Sequence, residues 1–266
     1  MYLCLPCRAV SDFAGAVVHR KRLLQRVSLA RVKLLLIRHG QSVNNLLEQE
    51  TASPCYEGRQ ADPPLTELGH EQARRLATWV VGNAQCQRVT HLYSSLTTRA
   101  VQTAAPLAQA MGLKVQGLQD AYECGGLNTG PEGQFAPVPG RDHASLLTDC
   151  PPLLWPAELH GQGWDGGYEP WDHGHFAARA ARVKAQLRTA AAEGDVLALV
   201  THHDFAQFLI GDLLALPELN GEALTFRLKN TATTFLELRT TASGTQERVV
   251  HWLNSAPHLT PDLITG

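Results

Sequence analysis

The chain reads as an α/β protein: a three-layer α/β/α sandwich with a mostly parallel central sheet, interrupted by one long insertion. Two observations predict it. Short, almost continuously apolar runs alternate with stretches whose apolar residues recur at helical spacing, the pattern of strands buried between covering helices. Arginine, histidine and glutamate residues then fall directly after those apolar runs, where a parallel sheet presents its ligand-binding loops. At 266 residues and 44% hydrophobic, the chain is long enough to bury a sizeable core.

The elements follow in order. Residues 32–37, Val-Lys-Leu-Leu-Leu-Ile, predict a strand buried on both faces. Ala73, Leu76, Ala77, Val80 and Val81 lie at i, i+3, i+4, i+7 and i+8 and predict an amphipathic helix. Residues 89–93 form the second strand. Val101, Ala104, Ala105, Ala108 and Met111 form a second helix closed near Gly112, and residues 114–118 a third strand. Phe176, Ala180, Val183, Leu187 and Ala191 are a further helical stripe, followed by a strong strand over Val196–Thr201. Phe205, Phe208, Leu209 and Leu213 mark the last helix, and residues 233–238 and 248–253 the last strands.

Two segments fall outside this rhythm. Residues 124–175 hold 10 Gly and 7 Pro together with Trp155, Trp164 and Trp171. Loops of that length are commonly functional covers or disordered, and three large aromatics favour a packed excursion, here called the insertion. Residues 1–33 carry seven Lys or Arg against the single acid Asp12. A transit peptide or a nucleic-acid arm has that composition. The favoured reading is instead a disordered basic extension over 1–31, or upstream sequence from a misplaced start, ahead of a catalytic domain over 32–266.

Composition excludes several classes. No apolar stretch approaches the roughly 20 residues of a membrane span, so no membrane partner is expected. A net charge of −2 gives no general reason to expect nucleic acid. The six cysteines are scattered, and Cys4-Leu-Pro-Cys7 has no second pair to complete a zinc site, so reduced thiols in a cytoplasmic protein are expected.

The residues at the strand ends carry the chemistry. The first strand runs into Arg38-His39-Gly40-Gln41-Ser42-Val43-Asn44-Asn45. A neutral imidazole is a nucleophile, an arginine offers a planar fork for phosphate, and a glycine lets backbone approach a ligand. Arg99 follows the second strand at a helix start, where backbone N–H groups favour anions. Tyr122-Glu123 follows the third, and His202-His203 follows the strand over Val196–Thr201. In a parallel sheet these groups converge on one edge.

This order of motifs resembles the histidine phosphatase superfamily, which includes the cofactor-dependent phosphoglycerate mutases. Pro64-Leu65-Thr66-Glu67-Leu68-Gly69 with Gln72-Ala73, the stretch Lys229-Asn230-Thr231-Ala232, and Leu253-Asn254 with His258-Leu259 are also similar to family text. The resemblance covers about residues 32–259 and implies a phosphoglycerate mutase-like sandwich. It implies that His39 becomes phosphorylated, that Arg38, Asn45, Arg99 and His202 bind the phosphoryl group, and that Glu123 donates the proton. No metal or other cofactor is implied, because cationic side chains supply the positive charge. His203 departs from the family's usual glycine and is a candidate substrate contact. Glu132 competes with Glu123 for the acid role.

The leading expectation is a metal-independent phosphatase acting on a small phosphate monoester. One rival is a mutase; the segment Glu123-Cys-Gly-Gly-Leu-Asn-Thr-Gly130 lacks the basic, tyrosine-bearing text that phosphoglycerate mutases carry after the acid. The other rival is a non-catalytic module that binds a phosphorylated ligand, against which the intact Arg38, His39, Arg99 and His202 set argues. A homodimer is left open. Asp172-His173-Gly-His175 could ligate a metal but lacks a third-ligand motif. Gly161-Gln-Gly163-Trp-Asp-Gly166 matches a dinucleotide-binding pattern without its strand–helix context.

Overall fold

The structure is a computed structural model that describes residues 31–51, 58–86, 88–130, 134–160, 163–216, 224–241 and 243–266. Residues 1–30 of the basic extension, with Cys4 and Cys7, Glu132 and part of the 161–166 glycine pattern lie outside them, while Arg31 opens the first strand.

Seven strands form the main sheet in the order β6-β3-β2-β7-β1-β8-β9: β1 (Arg31–Arg38), β2 (His91–Ser94), β3 (Val115–Gly117), β6 (Leu153–Leu154), β7 (Val196–Thr201), β8 (Thr233–Thr240) and β9 (Gln246–Ser255). The strands from β6 to β1 are parallel, with Leu36 opposite Leu199 and Leu92 opposite Ala198. β8 pairs antiparallel with both β1 and β9. β4 (Asn128–Thr129) and β5 (Ala136–Pro137) make a separate ribbon.

Alternation along the central strands sorts the core into two layers. Leu35 and Ile37 of β1 and Val196, Ala198 and Val200 of β7 face helices α2 (Glu67–Gly82) and α3 (Thr98–Met111). Leu34, Leu36, Leu197 and Leu199 face α5 (His173–Ala190) and α6 (His203–Leu214). Helix starts follow their caps. The Thr66 side chain accepts from the Gly69 N–H, and Asp172 accepts from the His175 N–H at 2.7 Å. Gly112 ends α3 in the left-handed region at φ 65°. Asp172 is thus the cap of α5, and His173 packs beside Phe176 and Phe208.

Helix α1 (Val43–Thr51) is an element the periodicity does not predict: it buries only Asn44, so it has no apolar stripe to read. The insertion is not a plain loop. It carries its own regular structure, with α4 (His143–Asp149) and the β4–β5 ribbon, and it returns to the main sheet as β6 at the edge beside β3. Its tryptophans have three fates. Trp164 is buried in the α2–α3 core layer, 5.8 Å from the Tyr122 ring. Trp155 packs partly against that layer. Trp171 is 66% exposed.

These fates set a stability prediction. Trp164→Ala should cost about 3–5 kcal/mol, because a large cavity opens in a close-packed layer. Trp171→Ala should change stability by no more than about 0.5 kcal/mol. Urea unfolding of both variants checks this; equal costs would contradict the assignment of Trp164 to the core.

Candidate active site

The carboxyl ends of β1, β2 and β7 meet in one cavity of about 900 Å³. Arg38, His39, Asn45, Arg99, Glu123 and His203 all line it. His202 does not; it lies fully buried behind His39, with ring centroids 5.1 Å apart.

His39 directly follows β1 and is held from several sides. Its backbone N–H donates to the Thr201 carbonyl at 3.0 Å, and its Nδ1 lies 2.7 Å from the Gly40 carbonyl. A carbonyl can only accept, so Nδ1 carries the hydrogen and Nε2 keeps its lone pair. That lone pair receives the Arg99 Nε–H at 3.1 Å. Burial, then Arg99 and Arg38, hold the imidazole well below its ordinary pKa, so it is neutral at physiological pH.

The next loop needs close backbone approach. A Cβ on Gly69 would sit 2.1 Å from the Gln41 carbonyl oxygen, so only glycine lets α2 meet the loop there. Gln72, buried in α2, accepts the Gln41 N–H with Oε1 and donates through Nε2 to the Leu263 carbonyl. Asn230 donates to the His39 carbonyl at 3.1 Å, and Thr103 accepts the Gly40 N–H. The sequence marks Gln72 and Asn230 only as family-like text. Gln72 sits four residues before Leu76 on the apolar stripe of α2, a position where a polar side chain signals a buried partner.

Arg38 and Arg99 supply the charge. Arg38 donates through Nη1 to the Leu228 carbonyl, while its buried Nε has no partner. Burial pushes its pKa down to about 10, which leaves it charged at neutral pH. Arg99, in the first turn of α3, is likewise lowered by burial. Asn45 braces the loop: its Oδ1 accepts from Ser42 N–H and Oγ–H and from Asn230 Nδ2.

His202 lies deeper than the other residues of the set. Burial, then Arg99 and His39, hold it well below its ordinary pKa, so it is neutral in the unliganded site. Its Nε2 lies 2.9 Å from Ser95 Oγ, and its buried Nδ1 has no partner.

Glu123 projects toward the start of α6. Its Oε1 accepts the Cys124 and Phe205 N–H groups at 2.9 Å each, and Oε2 accepts the Asp204 N–H at 3.2 Å. Burial and the neighbouring Asp204 carboxylate nevertheless push its pKa up. A raised pKa favours the protonated form that a proton donor needs. His203 lines the cavity with Nδ1 2.9 Å from Asp204 Oδ1. Beyond the sequence-derived set, the wall includes Glu48 and Gln49 of α1, Trp171, and Ile264 and Thr265 near the chain's end. No group of three His, Cys, Asp or Glu among the described residues is placed to hold a metal ion. Nor is any described helix long and apolar enough to cross a membrane.

Fold and cavity together place an imidazole, two guanidiniums and a carboxyl at one sheet edge of an α/β protein. The family model of the histidine phosphatase superfamily, branch 1, matches residues 34–254, and the chain belongs to that superfamily. A probable phosphoglycerate mutase from Yersinia enterocolitica is 39% identical over 84 residues, 32% of this chain and 34% of that protein. The chain thus matches only about a third of that relative's length. Among solved structures, a mycobacterial glucosyl-3-phosphoglycerate phosphatase superposes with a TM-score of 0.55 at 25% identity, covering 84% of this chain and 99% of that one. A phosphoserine phosphatase variant from Entamoeba histolytica has the same fold, with a TM-score of 0.55 at 21% identity over 86% and 100% of the two chains.

The buried imidazoles set a pH dependence of stability. His39 and His202 are held well below 6.5, and burial lowers His258 to about 4. The unfolded chain therefore binds protons below about pH 6.5 that the folded chain refuses. Stability is present above that pH and is lost as pH falls, by up to about 1.4 kcal/mol per pH unit for each imidazole. Glu123, raised, acts oppositely as a single group. Urea midpoints should fall from pH 7.5 to 5.5; a flat or rising profile would contradict burial of neutral imidazoles.

Proposed function

We propose that the chain is a metal-independent phosphomonoesterase that hydrolyses a small phosphorylated substrate through a phosphohistidine intermediate. The observation that carries this reading is His39: a neutral imidazole, with Nδ1–H held by Gly40 and Nε2 presented to a cavity lined by Arg38, Arg59 and Arg99. In the first step Arg99 Nε–H turns from Nε2 to a phosphoryl oxygen. Nε2 then attacks phosphorus, the P–O bond to the leaving group breaks, and Glu123 protonates the departing oxygen. In the second step water attacks phosphorus, the P–N bond breaks, and the Glu123 carboxylate takes the water's proton. Arg38 and Arg99 stabilise the charge on the equatorial oxygens throughout. The buried His202 gains a reason to protonate only when the phosphoryl dianion arrives.

Hydrolysis is favoured over mutase chemistry by the wall beside Glu123. Gly126 and Asn128 line the cavity there, and residues 123–130 carry no cation to meet a glycerate carboxylate; among the described residues, Arg59 is the cavity's one arginine besides Arg38 and Arg99. The similarity to a glucosyl-3-phosphoglycerate phosphatase supports the same choice. The insertion reaches this cavity through Gly126, Asn128 and Trp171, so it contacts the part of the substrate that is not phosphate.

Steady-state assays test the proposal. With EDTA present, wild-type protein should hydrolyse p-nitrophenyl phosphate, and His39→Ala should lose essentially all turnover. Retained activity in the variant, or loss on chelation restored by zinc or magnesium, would contradict it. Over a panel of sugar, nucleotide, glycerate and amino-acid phosphates, Trp171→Ala should lower kcat/KM unevenly, by about tenfold or more for the best substrate. Equal changes throughout would remove Trp171 from recognition.

A further inference from the structure

We propose that Arg179 is a positioning residue for the proton donor: it ties down the backbone that leads into Glu123 and packs on Phe205, whose amide holds the carboxylate, with Glu169 as its counter-ion. The inference rests on Glu123 being the acid in the reading above.

Arg179 lies on α5, outside the cavity, and is fully buried. Its position in sequence is already unusual. It falls three residues after Phe176 and four before Val183, inside the apolar stripe of the helix, where a charge is costly unless paired. The pair is Glu169, 4% exposed, which accepts Nη2–H at 2.6 Å and Nε–H at 3.3 Å. The remaining amino group, Nη1, donates to two carbonyls, Asp120 at 2.8 Å and Tyr122 at 2.7 Å. Tyr122 is the residue before Glu123.

The flat faces of the guanidinium are used as well. Its central carbon lies 3.8 Å from the Tyr122 ring centroid and 4.3 Å from that of Phe205. Phe205 is the residue whose N–H donates to Glu123 Oε1. One side chain therefore fixes the backbone entering the acid and packs against the residue whose amide holds the acid's carboxylate. Glu169 joins this clamp to the cavity rim: Trp171 is two residues further along the chain and packs edge-on against Phe176. His175 Nε2 lies 3.1 Å from Glu169 Oε2 on the solvent side. A lysine could keep the charge of Arg179 but not the fork or the stacking.

Leaving-group dependence separates positioning of an acid from general damage. Phenyl phosphate expels a poor leaving group that needs a proton, whereas p-nitrophenyl phosphate expels a good one. Both present a similar aryl ring. In Arg179→Lys, kcat/KM for phenyl phosphate, which reports the step that expels the leaving group, should fall at least about tenfold more than for p-nitrophenyl phosphate, as expected when general-acid assistance is lost. Glu169→Gln, which keeps the volume and one acceptor, should show the same bias more weakly and covers the case in which the lysine variant does not fold. Folding is checked by circular dichroism and urea midpoint. Glu123→Gln is measured in parallel and should show the bias most strongly. If it does while folded Arg179 and Glu169 variants lose both activities equally, this inference alone is overturned. If Glu123→Gln shows no bias, the acid assignment falls and the inference with it.

Discussion

Two guanidiniums buried around one neutral imidazole are the constraint on which this structure depends. Arg38 and Arg99 are 7% and 8% exposed, and placing like charges in a dry site costs free energy unless something offsets it. The Leu228 carbonyl on Arg38 and the more distant Asp62, Glu123, Asp204 and Glu48 offset part of that cost. The Arg38 Nε hydrogen remains without a partner. Such a site is complementary to an incoming dianion, and the same field keeps His39 unprotonated. In the proposed mechanism, nucleophile and binding site are consequences of that one arrangement.

The scaffold exists to hold that arrangement still. Gly69 lets α2 touch the loop after His39, Gln72 ties that loop to residues 263–265, and Asn230 ties it to the segment before β8. The neighbouring acid is treated alike, with three backbone amides on its carboxylate. Rigid positioning of this kind lets preformed charge act without reorganisation during the reaction.

Much of the fold was legible because two-sided burial writes itself into composition. β7 lies over Val196–Thr201 as its apolar run predicts, and β1 extends the run at 32–37 by one residue at each end. The stripes of α2, α3, α5 and α6 point to the layers they pack against. α1 was illegible because it buries no apolar stripe, and β6 because two residues cannot show a period. The convergence of Arg38, His39, Arg99 and Glu123 followed from their places after parallel strands, and the cavity contains all four. The protonation of His202 was not legible, because it depends on burial and on the distance to Arg99 rather than on residue type. Arg179 left a visible trace, a charge within an apolar stripe, whose meaning required the positions of Tyr122 and Phe205.

The account stands on covalent capture of phosphate by one nitrogen, and rapid quenching of a single turnover observes that directly. Wild-type protein mixed with a slight deficit of p-nitrophenyl phosphate and quenched in base within milliseconds should carry a phosphoryl group on His39. Peptide mass spectrometry should place it there, and acid should remove it. A burst of p-nitrophenol with no adduct at His39, or with the phosphoryl group on another residue, would contradict the account.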